Sequence, residues 1–314
     1  MLNKFILGAG VLLAASSAMA NFTVEGDVSL GFGYAEAEVD SNRSSYSADA
    51  EIDTSTRALK GQAYFGRVTT ADVPFREAGF LSKLSSVYLD VSRRKTETEY
   101  DDDYDSEYEV KTKRLGIRGV IPGPNLILGG FKGTEDFDGT DFDLLGVSIG
   151  FYIGDGGALT FEYSTREYEE SYYDYFDGYV DDESSEKSVV VNYKQVSSMG
   201  ERNHFAFWGQ IGIDRYDSEY DGDSNDGNGY TIEGGITWYK GQKLGFGASI
   251  LYMYQDSDSG EVLLSKFSPA LTYDFVENVG LKVQLTSMYQ LAEYDFADIE
   301  TTGIELSAGL TVRF

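Results

Sequence analysis

The chain contains no cysteine, four prolines and one histidine in 314 residues. Without cysteine, disulfides cannot be its source of stability, and no His/Cys spacing of a metal site can be assembled. Basic residues are scarce, 25 Lys and Arg against 53 Asp and Glu, for a net charge of -28. That balance excludes a nucleic-acid binder, which needs basic patches. After Asn21 there is no apolar run long enough for a spanning helix. What is abundant is glycine, 36 residues, and rings, 24 Tyr plus 19 Phe. Gly relieves crowding on a curved sheet, and Tyr suits an interface where one end of the ring is wet.

The first twenty residues read as an export signal. Lys4 is the positive region, Phe5 to Ala15 a short apolar run, and Ala18-Met19-Ala20 a small-x-small cleavage site. The division expected is a signal peptide over 1–20 and one β domain over 21–314. The run is too short to span a bilayer as a helix.

The mature region alternates with period two. In the last stretch, TGIELSAGLTVRF, Ile304, Leu306, Ala308, Leu310, Val312 and Phe314 point one way. Gly303, Glu305, Ser307, Gly309, Thr311 and Arg313 point the other. From Phe22 to about Ala35, Val24, Val28, Leu30, Phe32 and Tyr34 oppose Glu25, Asp27 and Ser29. Twelve more such segments lie between, which predicts fourteen strands. Leu59 to Val68 is ambiguous, because Tyr64 and Phe65 are adjacent. Pro269, inside the twelfth segment, predicts a bulge for want of a ladder donor. Connections alternate between short turns, Pro122-Gly123-Pro124-Asn125, Gly154-Asp155-Gly156-Gly157 and Lys240-Gly241-Gln242-Lys243, and long acidic stretches. The acidic ones, read as loops, are Glu36 to Arg57, Glu97 to Glu109, Gly133 to Asp141, Glu167 to Glu186, Asp217 to Asn228, Gln255 to Glu261 and Leu291 to Thr301.

An even number of alternating strands with one greasy face predicts an all-β fold. Its form is a transmembrane antiparallel up-and-down β-barrel of about 14 strands, with short periplasmic turns and long acidic extracellular loops. A mean hydropathy of -0.30 is compatible, since only alternate residues face lipid. The aromatic pair Tyr64-Phe65 followed by the Pro-x-x-Glu-Ala-x-Phe-Leu segment Pro74 to Leu81 resembles the general bacterial porin family of proteobacteria. The signal segment and the terminal Phe314 extend that resemblance over the whole chain. It implies an outer-membrane channel, with Phe314 as the signal read by the barrel-assembly machinery.

The chemical inventory argues against an enzyme. A Ser-His hydrolase needs a histidine base, and His204, at a strand end, is the one candidate. DGDSNDG at Asp221 to Gly227 echoes a calcium loop, but Asp226 stands where the turn glycine belongs. A solvated acidic segment is the better reading, with loosely held divalent cations at the tips as the residual role. No cofactor is expected. Alternation instead points Arg94, Arg114, Arg118, Arg166, Lys194, Lys282 and Arg313 inward, with Glu162, Asp214, Glu233 and Glu305. Opposed charge on facing walls would favour polar solutes; pairing across the lumen would merely fill it.

The function expected is passive diffusion of small hydrophilic solutes, with cations preferred. The alternative is a closed-lumen barrel whose acidic, Tyr-rich stretches bind a ligand or partner. Expected surroundings are outer-membrane lipid, lipopolysaccharide and the assembly machinery, with an oligomer compatible.

Overall fold

A computed structural model of the chain describes residues 21–41, 47–100, 105–174, 178–200, 203–220, 223–294 and 297–314. The stretch read as an export signal, 1–20, lies outside the described residues. Fourteen strands follow one another: β1 Asn21–Ser41, β2 Ser47–Thr69, β3 Ser86–Tyr100, β4 Asp105–Ile121, β5 Leu126–Phe137, β6 Thr140–Ile153 and β7 Gly157–Asp174. The second half is β8 Gly178–Ser198, β9 Asn203–Tyr220, β10 Asp223–Lys240, β11 Leu244–Ser257, β12 Gly260–Val276, β13 Val279–Tyr294 and β14 Ala297–Arg313. Each pairs antiparallel with the next, and β1 pairs with β14 to close a barrel. Among the described residues no helix is long and apolar enough to cross a membrane.

Period two makes this arrangement. Successive side chains leave a strand on opposite faces, so each alternating segment sends its apolar set outward in one uninterrupted band. Phe32 is 65% exposed and Leu306, its partner across the closing seam, 54%. The closing register runs from Glu25 opposite Arg313 to Ser41 opposite Ala297, and keeps the two apolar faces in phase.

The stretches read as acidic loops are largely strand. Pairing continues through them, with Glu36 opposite Glu51, Glu51 opposite Glu99, and Glu99 opposite Asp105. Ladder hydrogen bonds belong to the backbone, the acids stay solvated on the outer face, and interleaved Thr, Ser and Tyr favour extended chain. The four prolines all lie elsewhere, at 74, 122, 124 and 269. The turn of the β5–β6 hairpin is only Asp138-Gly139, both at positive φ (50° and 95°). That is the Asp-Gly signature of a tight type I′ hairpin.

Pro269 makes no bulge. It lies opposite Ala248, and the β12–β13 register is the same on either side of it. The missing donor leaves a gap in the ladder without inserting a residue. Irregularities fall instead between Phe22 and Val24 and between Asp274 and Val276. The first accommodates the ambiguous pair, with Phe65 pointing outward and Tyr64 buried.

Between β2 and β3 the chain folds into the barrel's bore. A 3-10 turn, Phe75–Glu77, leads into one α-helical turn, Ala78–Leu81. Phe75, Ala78 and Gly79 are buried. Gly79 is required there, because a Cβ would overlap the Tyr64 phenol.

Candidate functional site

The interior has three charged regions. At the end carrying Asn21 and Phe314, Arg313 is buried and holds Glu25 at 2.6 Å and Asp274 at 3.1 Å. Arg76 approaches Asp274 at 3.9 Å, and the Thr311 hydroxyl donates to Asp27. Lys282 shares this region's register, opposite Thr272 and Gly309. The terminal Phe314 extends the seam beyond the last strand residue, its N–H donating to the Val24 carbonyl at 2.8 Å.

The second region is a wall of guanidinium groups stacked on rings across β4 to β7. Arg114 lies over Phe131 at 5.5 Å, Arg118 over Tyr152 at 5.5 Å, and Arg166 over Phe142 at 3.5 Å. Arg118 also donates to the Tyr152 hydroxyl at 2.8 Å, and Arg166 to Glu135 at 2.9 Å. Such stacks contribute about 0.5 to 2 kcal/mol each. They hold the charges flat to the wall instead of across the bore.

In the third region, Arg94, Lys266 and Glu305 line a cavity of about 180 Å³; Arg166 of the second wall borders another, of about 230 Å³, with Asp214 and Glu186. Glu233 accepts from Gln210 at 2.9 Å. A further cavity, of about 540 Å³, is lined by Arg118, Glu162 and Lys194 with Phe80 and Trp208. The predicted residues therefore fall into separate groups; the ion pairs of Arg166 and Arg313 run sideways between nearby strands, while Lys194 pairs with the inward segment.

The inward segment draws in the rest. Glu77 takes the Lys194 ammonium at 2.7 Å and the Tyr239 hydroxyl at 2.7 Å. Phe80 packs among Ile127, Tyr152, Ala158, Val196, Ala206 and Tyr239. Lys83 donates to the Gly154 carbonyl at 2.8 Å, and Gln242 to the Thr70 carbonyl at 2.7 Å. The segment is thus tied to walls far from its own strands.

Sequence reasoning missed Glu77, Arg76, Lys266, Asp274 and Glu135. Alternation could have found two of them, since Lys266 precedes outward Phe267 and Asp274 follows outward Tyr273. Nothing local signals that Glu77 meets Tyr239. His204 is buried beside Ser198, Nδ1 to Oγ 3.1 Å, and no carboxylate is hydrogen-bonded to the ring among the described residues. Asp223 onward is strand backbone, not a coiled cation loop, and 221–222 lie outside the described residues. Among the described residues no cluster of three metal-ligating side chains occurs.

No protein-family model and no curated protein matches the chain. Among solved structures it is similar to the outer membrane protein Omp33 of Acinetobacter baumannii, with 16% identity over 94% of this chain and 99% of that one and a TM-score of 0.47. It is similar also to the β domain of the Bordetella autotransporter BrkA, with 11% identity, 93% and 100% coverage and a TM-score of 0.45. A third is OmpT, an outer membrane protein of Vibrio cholerae, with 8% identity, 92% and 99% coverage and a TM-score of 0.43.

Proposed function

We propose that this protein is an outer-membrane channel for small hydrophilic solutes, with cations preferred. One observation carries the reading: a closed fourteen-strand barrel turns an unbroken apolar band outward and a charged wall inward. A soluble protein rarely exposes contiguous apolar area of that extent, and in lipid only a closed sheet leaves no unpaired edge. The end carrying Asn21 and Phe314 is periplasmic and the acidic hairpins extend outside the cell, following the rule that barrels keep short turns inside. The wall residues named above line the path, and the Thr70–Ser85 segment narrows it at the periplasmic mouth.

That segment also favours a second reading, a barrel with a closed lumen. At the far end the inward-facing Ala35, Ala37, Ala50 and Ala292 are nearly inaccessible as well. Planar-bilayer recording under a salt gradient separates the two. Stepwise conductance with a reversal potential of cation sign is expected. Anion preference, or silence from both the parent and a variant lacking Val73 to Leu81, would sink the channel.

A further inference from the structure

The outward residue that follows the apolar band at the far end is not random in sign. On β2 the series passes from Leu59 to Arg57, on β3 from Val91 to Arg93, and on β4 from Leu115 to Lys113. On β5 it passes from Leu128 through Gly130 to Lys132. Four adjacent strands therefore carry a cation at the same depth, all exposed, in a chain of net charge -28. Elsewhere the same step gives acids, Asp256 after Tyr254 on β11, Glu293 after Leu291 on β13 and Glu36 after Tyr34 on the neighbouring β1, and a smaller basic pair, Lys187 after Val189 on β8 and Arg215 after Ile213 on β9. Among the described residues the run on β2 to β5 is the longest basic one at this depth.

Within it, like charges oppose each other. Arg57 lies directly across from Arg93, and Arg93 from Lys111. Directly opposed like charges destabilise a sheet. Glu109 pairs with Arg93 and with Lys111, and Asp136 with Lys111, which offsets part of the repulsion. Arg57, Lys113 and Lys132 have no ion-pair partner among the described residues. The patch spans three strand spacings, on the order of 15 Å, and adjoins the apolar band with no gap.

We propose that this sector on β2 to β5 is a docking site for the phosphorylated glycolipid of the outer leaflet. Its acyl chains lie on the apolar band, and its phosphates sit among Arg57, Arg93, Lys111, Lys113 and Lys132. A guanidinium fork matches a phosphate in geometry as well as charge, and an anion at this depth relieves the repulsion between the opposed cations. The sector's height is that of the headgroups, where basic side chains meet an anionic surface. The inference rests on the outer-membrane placement proposed above.

The test uses the full chain purified in detergent and challenged with bisphosphorylated lipid A or the same lipid stripped of phosphate, with bound lipid counted by native mass spectrometry. The phosphorylated lipid should be retained at least about tenfold better. The Arg57→Gln, Arg93→Gln, Lys113→Gln triple variant should lose that preference. Asp256→Asn with Glu293→Gln, acids of the same depth on β11 and β13, should keep it. The Arg57→Lys, Arg93→Lys double variant should retain most of it, which guards against misfolding as the cause. Equal retention of the two lipids by the parent, an unchanged preference in the triple Gln variant, or displacement by inorganic phosphate at equal concentration would overturn the proposal. Conductance of the same preparations in a bilayer free of lipid A reports on the channel alone. Loss of lipid preference with intact conductance is the expected result for the triple variant, whereas no lipid preference in a conducting parent removes only this inference.

Discussion

Arg313 is the residue on which the closing seam depends. Its guanidinium and the Asp274 carboxylate are both 1% exposed, and Glu25 completes the set. Removing one partner of a buried charge set costs about 3 to 5 kcal/mol, because the remaining charges cannot return to water. Arg313→Met should therefore lower the urea midpoint of the refolded barrel markedly. Arg313→Met combined with Glu25→Gln and Asp274→Asn should recover much of the loss. A single variant as stable as the parent would show that the acids are hydrated. At the other end, Asp136 accepts from the Gly139 N–H at 2.9 Å and from Lys111 at 3.0 Å. The turn N–H and then the ammonium hold its carboxyl below its ordinary value of 3.8. A depressed acid stabilises the folded turn above the unfolded value, and that help is lost as pH falls through the folded one. Protection of the Gly139 amide from hydrogen exchange should thus persist down to about pH 3.8 and fade below it. In Asp136→Ala it should be weak at every pH.

The Thr70–Ser85 segment is the element that folds into the bore. Its hold is distributed over the Glu77–Lys194 pair, the Glu77–Tyr239 bond and the apolar seat of Phe80. Losing one bond should therefore loosen it without releasing it. Deleting Val73 to Leu81 should raise single-channel conductance by about twofold or more, while Glu77→Gln should raise the frequency of brief openings and leave the main level near that of the parent. Unchanged conductance in the deletion would place the narrow point elsewhere. This element was the least legible part of the chain. Pro74 and the helical turn after it could be read from local residues, but the partners at Lys194 and Tyr239 are more than a hundred positions away. The strands were legible because alternation is local and one slip would turn every apolar residue inward. Their lengths were misread because acid was taken for loop, although Glu97, Glu99 and Glu107 alternate with Thr96, Thr98 and Tyr108 as any strand would. Pro269 was misread for the opposite reason, a local rule absorbed by an otherwise intact ladder.

At the scale of the whole molecule, the strand count and closure follow from repetition of one pattern, while selectivity depends on where 53 acids and 25 bases lie. Inside, Arg313 and Arg166 pair laterally with acids, Arg114 and Arg118 stack on rings, and Lys194 pairs with Glu77, so the bore mixes both signs. The excess of acid is carried by the paired extensions, in rows such as Glu36, Glu51, Glu99 and Asp105. These point outward from the barrel, so their field reaches the mouth through solvent and is open to screening. The Debye length is about 10 Å at 0.1 M salt and about 3 Å at 1 M. Cation preference should accordingly be several-fold in dilute salt and approach unity near 1 M, as read from reversal potentials at a fixed gradient ratio and two mean concentrations. Glu36→Gln, Glu51→Gln and Glu99→Gln together should reduce the dilute-salt preference and leave the value at 1 M unchanged. A preference that survives 1 M salt would assign selectivity to the partly buried wall charges, which screening barely touches, and the outer acids would then be dispensable for permeation.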